Sequence, residues 1–202
     1  MDLILLALIA GGILFLKKRD QRQRIALLGQ ALSRYDMERL MESLTDGYLR
    51  ALGEDNPERQ AQVWSFLDAQ ETKLVEQFQA FATEFAREDA AHTRVSKLPI
   101  AIPYAAVFLP AATFDLRSAF TIHAQGLARV VENAQQLSPK RKAFTLSAEL
   151  FLMQHSCHWF CRSKSVASAR LLARHKTSYA QVLASVSPAT RAAYTALIGG
   201  GG

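Results

Sequence analysis

Cysteine is nearly absent from this chain: Cys157 and Cys161 are its only two, one helical turn apart. A pair so spaced on one helix is poorly placed for a disulfide, and two thiols cannot make the framework that staples small secreted domains. Glycine is sparse inside the domain. Apart from Gly11 and Gly12 near the start and Gly199 to Gly202 at the end, there are Gly29, Gly47, Gly53 and Gly126. Residues so scattered build neither a phosphate-cradling loop nor a Gly-x-Ser-x-Gly elbow, which argues against a nucleotide-using enzyme and against that class of hydrolase. Runs of alternating β-branched residues are missing too, so no sheet is expected.

Acidic charge is almost missing from the C-terminal part, where nine basic residues after Ser138 stand against a single acidic one, Glu149. Residues 31–90 reverse the balance, with thirteen acidic and six basic. Helices of opposite sign packed against one another account for the split most simply. Anionic lipid or nucleic acid on the basic part are the alternatives. Lys164, Arg170, Arg174 and Lys176 interleave with few aromatics and fit no nucleic-acid motif, which disfavours nucleic acid as a partner.

What the chain does have is an apolar start. Fourteen uncharged residues, 3–16, are followed at once by Lys17, Lys18 and Arg19, and Arg22 and Arg24 bring the basic residues to five. A secretory signal carries its charge before the apolar run, whereas only Met1 and Asp2 precede this one. The pattern predicts a single transmembrane helix in a bacterial-type inner membrane, N-terminus out and main domain cytoplasmic, with residues 1–21 as anchor and basic flank. Such a span is short, since fourteen helical residues reach about 21 Å against a hydrocarbon core of about 30 Å. Snorkelling lysines, a thinned bilayer or a partner helix would have to supply the rest.

Residues 22–198 are expected to form one all-α domain, a bundle of antiparallel hairpins, ahead of a glycine tail at 199–202. Apolar residues at three- and four-residue steps predict a helix over 22–52, continuous with the anchor. Asn56 and Pro57 read as the cap and first turn of a second helix reaching about Asp89, so that 22–90 makes an acidic hairpin. Residues 98–114 are uncharged and broken by Pro99, Pro103 and Pro110. Three prolines forbid one regular helix, leaving either a connector threaded through the core or a sticky surface for membrane or partner. Within the basic half, 115–198, helices are expected over 115–137, over 141 to about 186 with a break near 162–165, and over 189–197.

One cluster holds potential ligands, His155-Ser-Cys-His158-Trp-Phe-Cys161. On a helix the two histidines share one face while the cysteines lie roughly opposite, so the four cannot meet on one metal. An antiparallel hairpin about Pro139 would bring His123 level with His155, and His123, His155 and His158 are then the candidate metal ligands, for zinc, copper, iron or haem. Glu149 is expected on another side of its helix, and no Glu-x-x-His pair supplies a di-iron site. The blander expectation is that the imidazoles hydrogen-bond inside the core and that no cofactor is held. The cysteines read as packing. Together these features point to a non-catalytic, membrane-anchored adaptor or scaffold subunit whose partners are lipid and other membrane or cytoplasmic proteins, with self-association compatible. The alternative is a metal- or haem-binding bundle.

Overall fold

The structure, a computed structural model, describes residues 2–199 and is 77% helical, which places it in the all-α class. Met1 and the last three glycines of the expected tail lie outside the described residues; Gly199 closes the final helix.

Helix α1, Asp2–Leu32, is unbroken from the apolar start into the domain. Its second half packs on the later helix α6, Pro139–Cys161, burying Leu28. Its first half stands clear of the domain, with Ile4 71% and Phe15 66% exposed. No helix among the described residues is long and apolar enough to cross a membrane. The expected transmembrane span is therefore not supported, and the reason is length: Lys17, Lys18 and Arg19 cut the apolar stretch off after fourteen residues.

The expected helix over 22–52 is two helices. The chain turns at 33–36 and restarts as α2, Met37–Leu52. Contacts distant in sequence hold the turn: the Tyr35 ring meets Phe81 edge-on at 5.8 Å, its hydroxyl donates to Glu84 (2.8 Å), and the Asp36 amide donates to Gln77 (2.8 Å). These three partners lie on α3, Pro57–Phe85, which starts as the sequence indicates, the Asn56 side chain accepting from the Glu58 and Arg59 amides at 3.0 and 3.1 Å. The turn lets α2 fold back along α3, and Leu44, Ala51, Leu74 and Phe78 become solvent-free between them and the rest of the core. At Gly47 a Cβ would lie 2.3 Å from a Leu67 methyl, so any larger residue there would have to displace that side chain.

A strand pair, not anticipated, closes the proline-broken segment. β1, Arg94–Ser96, runs antiparallel to β2, Thr113–Asp115, with Val95 opposite Phe114. Three residues a side leave no alternation to read. Between the strands lie a short helix α4, Ala105–Phe108, and a 3₁₀ turn at Pro110–Ala112. The segment is therefore neither wholly threaded nor wholly exposed: Phe114 is buried, while Ile100, Val107, Phe108 and Leu109 face outward.

Helix α5, Leu116–Glu132, begins on an Asp115 cap and is closed by Asn133 in the left-handed region (φ 49°), so its last residue, Glu132, falls five residues before the expected end at 137. Phe120 of α5 meets the rings of Phe81 and Phe85 at 5.0 Å each, the aromatic seam between α3 and α5. Helix α6 occupies the centre of the bundle. It stops at Cys161, at the break the sequence allows near 162–165, and the chain continues as α7, Lys164–His175, and after a second, unexpected break as α8, Tyr179–Ser185, capped by Ser163 and Ser178. α9, Pro188–Gly199, returns along α5.

Opposite charges do pack across the fold. Lys142 at the start of α6 reaches Glu71 (2.6 Å) and Asp68 (2.8 Å) on α3, and the Tyr48 hydroxyl donates to Glu71 (2.7 Å). Arg174 and Glu42 form a longer pair, 3.6 Å, near the surface.

Candidate functional site

The α5–α6 hairpin brings His123 and His155 into one layer of the core, each nearly free of solvent. They do not share a ligand. His123 Nε2 lies 2.9 Å from the Ser156 hydroxyl, which also contacts the Leu152 carbonyl (3.1 Å) and the Tyr194 hydroxyl (2.8 Å). A serine has one proton, and the carbonyl can only accept it. Ser156 therefore donates to Leu152 and accepts from both Tyr194 and His123, which fixes His123 as the Nε2–H tautomer. Burial, and then the nearby His155, push its pKa down to about 3.

His155 Nε2 hydrogen-bonds the Ser168 hydroxyl (3.1 Å), and its ring stacks on Tyr179 with centroids 4.5 Å apart. Burial, Lys164 and His158 lower its pKa to about 4. His158 is half-buried and faces another way, its Nδ1 accepting from Arg170 (3.2 Å); burial followed by Arg170 and Arg174 lowers its pKa. The three imidazoles thus end on Ser156, Ser168 and Arg170. Among the described residues no group of three His, Cys, Asp or Glu side chains is placed to hold a metal ion, so the convergence expected from the hairpin register does not occur. Equal height on two helices is not enough; the rotation of each helix aims the rings apart.

His155 and His158 line a cleft of about 430 Å³ between α6 and α7, together with a histidine the sequence reading missed. His175 stacks on Phe151, centroids 3.8 Å apart, and donates to Gln154 Oε1 (3.1 Å). Only the break at 162–163 folds α7 back and brings it there. The cysteines lie on another side of α6 as free thiols; burial raises both pKa values, that of Cys161 to about 11, which favours the neutral thiol in each.

Glu149 was also underread. It is fully buried, and its Oε1 accepts the Ser187 amide (3.0 Å) just ahead of α9. Burial raises its pKa against the opposing hydrogen bonds of Ser187 and Thr190. Its standing as the one acid after Ser138 was the available signal.

The arrangement with the clearest outward direction lies at the other end of α6 from Pro139. There Arg24 of α1 donates to the Arg94 carbonyl (2.8 Å) and Arg162 donates to Gln21 (2.9 Å). Trp159 donates to the Ser96 carbonyl (2.8 Å), and the Ser165 hydroxyl and amide both donate to the Pro99 carbonyl at 2.8 and 3.2 Å. Asp20, Gln21 and Arg24 share a small cleft with Leu98, Ile100 and Ile102. The base of the outward loop therefore lies against α1 just past its free half.

The chain matches no family model, no curated protein and no solved structure.

Proposed function

We propose that this protein is a membrane-anchored helical adaptor, held at a bacterial-type inner membrane by the free half of α1, with its domain on the cytoplasmic side and its role non-catalytic docking of other subunits. The observation that carries this reading is the projection of α1: Ile4 to Leu16 are exposed, and Lys17, Lys18 and Arg19 follow directly. Apolar side chains in that number, bounded by cations on one side only, are accounted for by lipid. Their reach of about 21 Å falls short of the bilayer core. A crossing therefore needs a thinned bilayer or a partner helix, for which Gly11 and Gly12 leave a smooth surface.

Docking of subunits is supported at the opposite end. The turn between α2 and α3 packs beside Ser138, Pro139 and Lys140, roughly 33 Å from Cys161 along α6. On that hairpin Leu49, Leu52 and Phe66 are exposed.

Charge placed inside the apolar segment tests the anchor in the full chain. Leu8→Arg with Ile13→Arg should move the protein from the membrane fraction to the soluble fraction of disrupted cells, with helical content unchanged. Retention of the double variant in the membrane fraction, or a wild-type chain recovered as soluble, overturns the anchor. Detergent extraction of the wild-type chain should bring co-purifying subunits, and their loss on Phe66→Asp would place the docking on the distal hairpin.

A further inference from the structure

We infer that the loop between β1 and β2 is a second membrane contact, inserting Ile100, Val107, Phe108 and Leu109 into the interfacial layer of the same bilayer that holds α1. The inference rests on the anchor reading and specifies how the domain sits against lipid.

Three observations carry it. The loop is apolar and outward: Val107 and Phe108 are each 72% exposed, Ile100 63%, and no acidic residue occurs from 90 to 114. Contiguous exposure of this kind marks a surface that is covered in use. Its base lies against α1. Arg24 donates to the Arg94 carbonyl (2.8 Å), while Asp20 and Gln21, nearer the free end of α1, line one cleft with Leu98 and Ile100. The Lys97 amide donates to the Ala112 carbonyl (2.8 Å) and closes the neck of the loop beside that cleft.

The remaining observation is charge. Lys18, Arg19, Arg22 and Arg162 are exposed around this end of the domain. A basic collar around an apolar tip matches the anionic headgroups over an acyl boundary, whereas a protein partner would have to supply both surfaces together. Depth agrees as well. Asp20 lies about 6 Å along the axis from Leu16, within the ~5–10 Å over which interfacial segments bury their apolar face. A loop seated there draws the domain onto the bilayer and favours the local thinning that a short α1 requires.

Spin labels on the full chain test this in vesicles of mixed zwitterionic and anionic phospholipid. Single cysteines replace Leu8, Val107 or Phe66 in a Cys157→Ala, Cys161→Ala background, and accessibility to oxygen is compared with that to a water-soluble nickel complex. The expected result is a several-fold rise in the oxygen-to-nickel ratio at 8 and 107 on adding vesicles and no change at 66. A rise at 8 alone overturns the loop contact and leaves the anchor standing. No rise at 8 or 107 overturns both. Because the alanine background alters half-buried sites, a second arm keeps the native cysteines. Phe108→Trp should add emission that brominated lipid quenches beyond the native tryptophans, and no added quenching overturns the loop contact independently.

Discussion

Gly126 of α5 and Glu149 of α6 meet so closely that a Cβ at position 126 would lie 2.6 Å from Glu149 Oε2 and 2.4 Å from Thr190 Oγ1. Three helices converge on that contact. Gly126→Ala should therefore cost about 1–3 kcal/mol in overpacking, more than Gly47→Ala, where the obstacle is the far end of the flexible Leu67 side chain. Urea unfolding of the two variants compares them, and equal stability of Gly126→Ala and wild type would refute the contact.

Glu149 sets a pH dependence of one sign. Its folded pKa is raised by burial, so the stabilisation is present below the unfolded value of 4.5 and is lost as pH rises through the folded value. Glu149→Gln keeps an acceptor for the Ser187 amide and removes the charge. It should gain stability relative to wild type as pH rises, read as a growing difference in Tm between pH 5 and pH 8.

His123 and His155 set the opposite sign. Their folded values, about 3 and about 4, lie below the ordinary 6.5. The unfolded chain then binds protons that the folded chain refuses, so stability is complete above 6.5 and falls as pH drops towards 4 and below. Each fully contributing imidazole supplies a slope of roughly 1.4 kcal/mol per pH unit. His123→Gln should flatten the loss between pH 6.5 and 4. In the wild type, ¹⁵N shifts should report the neutral Nε2–H form of His123 at pH 5, and an imidazolium there would contradict the Ser156 network.

Lys142 and Glu71 form a nearly buried pair, their side chains 11% and 3% exposed. Lys142→Met strands the carboxylate and should cost about 3–5 kcal/mol. Adding Glu71→Leu should recover much of that loss. A double variant no more stable than the single one would show that the pair does not act as a unit.

Zinc offers a direct check on the histidines. With His123, His155 and His158 each turned to a separate partner, added zinc should leave Tm unchanged. A rise abolished by His155→Ala would show that the rings can rotate into a common site.

Much of the architecture was legible because it is written locally. Asn56-Pro57 starts α3 where capping chemistry puts it, and α6 and α9 start at Pro139 and Pro188, within two residues of the expected 141 and 189. The apolar stripe of α3 reads at helical spacing from Leu67 to Phe85, although Phe66 beside it faces solvent. The turn at 33–36 was not legible, since its reasons are Phe81, Gln77 and Glu84, more than forty residues away. The strand pair was too short to leave a period. Sequence height placed His123 beside His155, but not the rotation that sends one ring to Ser156 and the other to Ser168.

By itself the sequence determined an all-α chain, the capped start of α3, and an apolar segment cut short by three cations, because propensity, capping and hydropathy act within a few residues. Only the tertiary structure decided that the histidines part, that Glu149 is enclosed by Gly126 and Thr190, and that the base of the 98–112 loop lies beside α1. Those outcomes depend on how helices distant in sequence rotate and fit against each other, and shape complementarity in a close-packed core has no local signature.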